Sequence, residues 1–185
     1  MKDRARSLAG LLAFGAIGGT LLDMLHTFSG TTEYTRPVFA RTAWWVPFLF
    51  ASAYGFGGAL YALGYRRHGG RNAPPPWKNA LVAVAVFAAL YATSAYLPAS
   101  NTAKLAALAF GAVALWVWLD RSWQGALLAA VTAFTGPFTE FMLWRAGLFR
   151  HLQPDAFGVP MWLPALYAAS APSFGQLARR ALRSA

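Results

Sequence analysis

Apolar stretches of about 20 residues recur along almost the whole chain, separated by short segments that hold its charges, prolines and glycines. An α-helix rises 1.5 Å per residue, so a stretch of this length crosses the roughly 30 Å hydrocarbon core of a bilayer. A soluble fold of 185 residues could not bury so much apolar surface, because 57% of the residues are hydrophobic and only 12% are charged. The sequence therefore predicts an all-α, polytopic membrane protein.

Six membrane-spanning helices are predicted, each bounded by charges or by Pro and Gly. They form one domain over residues 1–185, with spans at 7–28, 42–65, 77–97, 102–119, 123–144 and 160–181. The charged N-terminus followed by an apolar run resembles a secretory signal, but we interpret it as the first span because no small-residue cleavage site follows. Lys and Arg number eleven on one side and five on the other, so the positive-inside rule predicts that both termini are cytoplasmic.

The charge distribution and composition exclude several classes of function. The net charge of +10 lies in loops and tails, which indicates membrane orientation and no nucleic-acid partner. The absence of cysteine excludes disulfides and thiolate metal sites, and the three histidines are too scattered to form a metal site. We therefore predict no cofactor, apart from a bound lipid, and a multi-pass location in the cell membrane.

Two acidic residues, Asp23 and Glu140, lie inside predicted spans, where an ionisable side chain is costly unless it is paired, neutralised or faces a polar cavity. Both are predicted at a similar depth in the external half of the membrane. They could share one cavity with apolar walls, formed mainly by the first, second, third and fifth spans. The alternative is that both carboxyls reach water or pair with Arg36, Arg41 or Arg145.

Polar and aromatic side chains extend this predicted lipid site, which suits an amphipathic lipid with a small head group. His26 shares a helix face with Asp23, and Trp116 lies one turn inside the membrane. The predicted lipid-binding residues are Asp23, His26, Trp44, Trp45, Thr93, Ser94, Trp116 and Glu140. A hydrolytic alternative would use Ser94, His26 and Asp23 as nucleophile, base and orienting acid, but no G-x-S-x-G motif surrounds the serine.

Four motifs, in order along the chain, resemble the insulin-induced gene (Insig) family of membrane proteins. They are TAWWVPFLFASAYG in the second span, LWVWLDRSWQG after the fourth, QPDAFGVPMWLPALY before the sixth and FGQLAR near the C-terminus. The resemblance covers roughly residues 8–182 and implies a six-helix lipid sensor without catalytic activity. It also implies that Trp116 lies beside a sterol, and that Asp120 and Arg121 engage a protein partner, as the animal members engage Scap and HMG-CoA reductase.

The chain departs from the family pattern in ways that change the expected ligand. Lys104 or Ala103 stands where the family has a sterol-contacting Gln, and Glu140 stands where the family has an amide. Thirteen Arg against three Lys are typical of a high-GC genome, so we expect a bacterial homologue, actinobacterial or mycobacterial. Because most bacteria lack sterols, diacylglycerol is the first candidate ligand.

Several alternatives remain open from the sequence. The main prediction is a non-enzymatic, Insig-like protein that binds a diacylglycerol- or sterol-like lipid, with homo-oligomers possible. The second is a scaffold or chaperone that retains another membrane protein, and the third is a small proton-coupled transporter. In the D-R-S turn, either Asp120 or Ser122 is expected to cap the fifth span, and both charges of the turn are expected to reach water.

Overall fold

Six long helices account for most of the computed structural model, which describes residues 2–69 and 74–182. Their bounds follow the apolar stretches, so the predicted membrane-protein fold is confirmed. The helices are α1 (Ala5–Ser29), α2 (Val46–Arg67), α3 (Trp77–Tyr96), α4 (Asn101–Leu119), α5 (Trp123–Arg145) and α6 (Leu163–Ala181). The first five are each long and apolar enough to cross a membrane.

Two helices begin later than the sequence predicts. The second span was expected from residue 42 and the sixth from residue 160, but α2 begins at Val46 and α6 at Leu163. Each of these helices has a proline, Pro47 or Pro164, in its first turn. Proline has no N–H to donate and suits a position where the helix leaves that donor unpaired, so these prolines start helices instead of kinking them.

Helix α6 lies at the centre of the bundle and packs against α3, α4 and α5, and also against α2. Its buried residues come from every side of the helix and include Leu166, Ala169, Ser173 and Gln176. Small side chains such as Ala and Ser let neighbouring helices approach closely. Because protein surrounds α6, it can be less apolar than the five helices around it.

A short antiparallel pair of strands joins two loops at one end of the bundle. Strand β1 (Thr32–Tyr34) follows α1, and strand β2 (Phe149–His151) follows α5. Thr32 faces His151 and Tyr34 faces Phe149 across the pair. The sequence did not predict these strands. Glu33 and Arg150, which form an ion pair across them, are 117 residues apart in the chain. They hold Tyr34 and His151 over the ends of α1 and α5.

One turn of α1 and one turn of α2 are widened to π-helix, at Gly15–Gly19 and Ala53–Gly57. The two helices pack closely there: a side chain on Gly15 would overlap Phe50 and Tyr54 of α2. Single π turns inside α-helices occur often at functional sites. Here they lie beside Phe50 and Tyr54, which line a cavity described below.

Candidate functional site

A cavity of about 580 Å³ lies between α2 and α5. The sequence predicted walls from the first, second, third and fifth spans. Lining side chains do come from α1, α2, α3 and α5, and the central helix α6 adds Leu166, Tyr167, Ser170 and Phe174. Aliphatic and aromatic groups make up most of this wall, and the few polar side chains in it include Gln124, Thr132 and Glu140. Such a mixture is typical of sites for small apolar ligands.

The cavity opens sideways between α2 and α5. Leu60 of α2 lines it and yet is 71% exposed, and Leu127 of α5 lines it and is 54% exposed. At the end predicted to be cytoplasmic, the two helices are linked where Gln124 Nε2 donates to the carbonyl oxygen of His68 at 2.9 Å. In a membrane, therefore, this opening faces the lipid tails.

Glu140 is at the polar end of the cavity and is held by two groups. His151 Nε2 lies 2.6 Å from Glu140 Oε2, and the Tyr167 hydroxyl donates to Oε1 at 2.6 Å. The Tyr167 ring lies against Gly136, one turn before Glu140, where any larger side chain would overlap it. The Glu140 carboxyl group thus lines the cavity while the protein already supplies two hydrogen-bond partners for it.

Asp23 is buried near the same end but does not line the cavity. The Tyr34 hydroxyl lies 3.0 Å from both carboxylate oxygens of Asp23. Burial is the main cause that raises the pKa of Tyr34 well above its usual value, and the charge of Asp23 is the second. The Tyr34 hydroxyl therefore keeps its proton and stays a donor. The alternative in which Asp23 and Glu140 pair with arginines is wrong for the described residues, where Tyr34, His151 and Tyr167 bind them.

His26 and Ser94 do meet, but in a closed arrangement. His26 Nε2 lies 2.8 Å from Ser94 Oγ, and this oxygen donates its proton to the Tyr91 carbonyl at 2.7 Å. The imidazole is therefore the donor, the opposite of a general base that takes a proton from serine. Ser94 has no exposed surface, and Asp23 bonds to Tyr34. The hydrolytic arrangement is not formed.

The remaining predicted lipid-binding residues lie outside the cavity lining. Trp44 is exposed, and Trp45 packs edge-on against the Tyr34 ring. Thr93 bonds to the Ala89 carbonyl of its own helix, and Trp116 donates to the Ser122 carbonyl at the opposite end of the bundle. Of the eight predicted residues, only Glu140 is part of the lining. Lipid binding by all eight residues stays a prediction.

Two residues that hold Glu140 were not predicted from the sequence. Tyr167 carries no charge that would mark it as costly in a membrane, although it stands in one of the motifs quoted above. His151 lies in a loop 11 residues beyond Glu140 and is brought back only by the pairing of β2 with β1. No local sequence signal announces that pairing, because each strand has only three residues.

The turn before α5 differs from expectation. Ser122 caps α5 by accepting from the Gly125 N–H at 3.0 Å, while its own hydroxyl donates to Asp120 at 2.5 Å. The Asp120 side chain is only 1% exposed, and Arg179 lies 3.8 Å from it. The expectation that both charges reach water is therefore wrong for Asp120, since the C-terminal part of α6 covers it. Arg121 is exposed, at a positive φ of 54°.

The chain matches no family model. The insulin-induced gene 1 protein of Cricetulus griseus is 29% identical over 185 aligned residues, which span 95% of this chain and 70% of that protein. The insulin-induced gene 1 protein of Homo sapiens is 28% identical and covers 95% of this chain and 65% of that protein. Both relatives therefore match nearly the whole of this chain.

Among solved structures, similarity extends over the whole fold. The crystal structure of a mycobacterial Insig homologue, MvINS from Mycobacterium vanbaalenii, has a TM-score of 0.88 and 26% sequence identity. The match covers 99% of this chain and 97% of that one. A cross-linked trimer of a cysteine variant of MvINS matches with the same TM-score and identity.

Proposed function

Because this chain belongs to the insulin-induced gene (Insig) family of membrane proteins, we propose that it senses a neutral lipid bound in the cavity between α2 and α5. The family is one of non-enzymatic regulatory membrane proteins, which confirms the prediction that the chain is not an enzyme. The proposed ligand is diacylglycerol-like or sterol-like. The proposed location is the cell membrane, crossed several times.

The observation that carries this proposal is the contrast between the walls of the cavity and its end. The cavity has a volume of about 580 Å³, which is within the range of small-molecule sites, and its walls are mostly apolar. Glu140 and Tyr167 form its polar end. Each of the two oxygens of a carboxyl group can accept hydrogen bonds, with about four lone-pair positions between them. His151 and Tyr167 occupy two of those on Glu140, so an acceptor remains for the hydroxyl of a lipid.

The sideways opening supports diacylglycerol over a sterol as the first candidate. A lipid that enters between Leu60 and Leu127 can leave part of its chains among the bilayer lipids while its single hydroxyl reaches Glu140. Two flexible acyl chains adapt to a slot with one open side. A rigid sterol ring system gains less contact energy with the protein than two acyl chains do, because its face at the open side touches only membrane lipid.

Filling the cavity tests this proposal. Leu128 is half-buried and lines the cavity, so Leu128→Trp places a larger ring in the space for the lipid. Overpacking of this kind costs about 1–3 kcal/mol, and 1.4 kcal/mol is a factor of ten in binding. We expect the neutral lipid that copurifies with the protein to fall about tenfold, measured by lipid extraction and mass spectrometry.

The matched control is Leu81→Trp, because Leu81 is 63% exposed on α3, away from the cavity lining. It should keep the lipid content of the unmodified protein. Equal lipid content in the two variants, or no enrichment of any neutral lipid over the bulk membrane in the unmodified protein, would contradict lipid binding in this cavity.

We also propose that the chain forms homo-oligomers, since MvINS has been crystallised as a cross-linked trimer. Chemical crosslinking in native membranes should give bands at multiples of the 20.0 kDa chain, and a monomer band alone at every crosslinker dose would contradict this. A role as a scaffold that docks a partner on the turn before α5 would have to use Arg121, because Asp120 is buried.

A further inference from the structure

A second cavity, of about 450 Å³, lies at the end of the bundle where α1 and α3 end and α4 and α6 begin. In the predicted topology this is the external face. Its character is opposite to that of the lipid cavity, because hydroxyl, amide and basic groups line it. Those that bear on its chemistry are Ser29, Thr31, Ser100, Asn101, Lys104 and His151.

Lys104 places a cation in this cavity. The residue is only 8% exposed, and its Nζ donates to the carbonyl oxygen of Ser94 at 2.8 Å. An ammonium group has three donors, so two of them are left over. Among the residues that the structure describes, no carboxylate lies within 4.0 Å of this ammonium. A buried cation is costly unless an anion and further hydrogen bonds accompany it.

His151 also lines this cavity, and one of its ring nitrogens has no partner among the described residues. The residue is 5% exposed, and its Nε2 is taken by Glu140 on the side of the lipid cavity. Its Nδ1 is buried and has no hydrogen-bond partner within the described part of the chain. A buried polar atom without a partner is uncommon in proteins, and here the packing of the described residues around the ring leaves one hydrogen-bonding group unsatisfied.

We propose that this external cavity binds a phosphate group, with Lys104 as its counter-ion. Ser29, Thr31 and Ser100 also line this cavity, and their hydroxyls already bond within the protein: Ser29 and Thr31 to each other, and Ser100 to the Ala103 N–H as the cap of α4. The positive end of the α4 dipole, at Asn101, lies in the same lining. Two acids lie beside this lining without being part of it: Asp155 accepts from Asn101 Nδ2 and from the Met161 N–H, and Glu140 is held by His151. The cavity is larger than inorganic phosphate, so a phosphate monoester or a phospholipid head group fits as well.

This proposal is independent of lipid binding between α2 and α5, since neither Lys104 nor the three hydroxyls line that cavity. It also gives Lys104 a role of its own. Lys104 lies inside the predicted fourth span, where a charged side chain is costly unless it has partners.

The test compares Lys104→Gln with the unmodified protein, purified in a non-ionic detergent without phosphate. Glutamine keeps a donor for the Ser94 carbonyl but loses the charge. Sodium phosphate is titrated at constant ionic strength, and binding is followed by the thermal unfolding midpoint and by broadening of the phosphate ³¹P signal. Losing a charge-assisted hydrogen bond is expected to weaken phosphate binding at least about tenfold. Lys78→Gln, which removes an exposed lysine at the opposite end of α3, is the control and should bind like the unmodified protein.

Nanodiscs distinguish the two sources of the phosphate group. If discs with phosphatidic acid stabilise the unmodified protein more than discs of phosphatidylcholine alone, and this difference is lost in Lys104→Gln, the ligand is a lipid head group. If free phosphate stabilises the unmodified protein more than it stabilises Lys104→Gln, and phosphatidic acid does not, the ligand is a soluble phosphate ester. If Lys104→Gln does not fold, the unmodified protein alone tests the proposal. Broadening of its phosphate ³¹P signal that sulfate reverses supports the anion site, and no broadening contradicts it. The proposal is overturned when neither source acts on the unmodified protein, or when both act equally on Lys104→Gln.

Discussion

Replacing Trp162 by alanine is expected to lower the free energy of unfolding by about 3–5 kcal/mol, the usual cost of removing a large aromatic ring from a core. Trp162 is 1% exposed and packs edge-on against the rings of both His26 and His151. Its indole N–H also donates to Asn101 Oδ1 at 3.0 Å. The substitution therefore leaves a cavity beside two buried histidines and removes the only indole donor that reaches Asn101 among the described residues.

Thermal unfolding in one detergent, followed by tryptophan fluorescence or by light scattering, measures this loss. Trp118→Ala is the matched control, because Trp118 is 64% exposed on α4 and has the same side chain to lose. Its unfolding midpoint should stay close to that of the unmodified protein. Equal midpoints for the two variants would mean that Trp162 does not hold the external end of the bundle together.

Replacing Arg179 by methionine is the second large effect that we expect, again about 3–5 kcal/mol of lost stability. Arg179 Nη2 lies 3.8 Å from Asp120 Oδ1, the Asp120 side chain is 1% exposed, and the guanidinium stacks 4.3 Å over the Tyr65 ring. Methionine keeps much of the packing but leaves the Asp120 carboxylate buried without a cation. Removing one member of a buried pair strands the other charge, and that is the source of the cost.

A double-mutant cycle separates this charge effect from lost packing. Asp120→Asn combined with Arg179→Met removes both charges, so the pair should be more stable than the sum of the two single losses predicts. Arg121→Met is the control, because Arg121 is next to Asp120 in sequence but is exposed, and it should change the midpoint little. Strict additivity of the two single variants would show that Arg179 and Asp120 do not interact.

The hydrophobic pattern was enough to predict the fold class and the six helices. Helix length against membrane thickness is a local property, readable in any window of about 20 residues. Turn chemistry was readable in part: Ser122 does cap α5, as one of the two alternatives had it. The start of α2 was not readable, because the apolar stretch begins at residue 42 whereas the helix begins only at Val46, with Pro47 in its first turn.

The polar end of the cavity was predictable only as far as its acid. Glu140 stood out because an ionisable residue inside a span is rare and costly. Asp23 stood out for the same reason, yet Tyr34 engages it and it does not line the cavity. Depth in the membrane is set by position along one helix, whereas the direction in which a side chain points depends on how that helix is rotated against its neighbours.

The sequence by itself determined that this chain is a bundle of membrane-crossing helices and that it resembles the Insig family. It also determined that two acids lie inside predicted spans, where each is costly unless it is paired, neutralised or faces a polar cavity. Only the tertiary structure decided which partners they have. Tyr167 comes to Glu140 from 27 residues away because its ring packs on Gly136, and His151 comes to it through a strand pairing across the bundle. The length of an apolar stretch depends only on residues that are neighbours in the sequence. The contacts of Glu140 join residues that are far apart in the chain, and these are selected by packing in three dimensions.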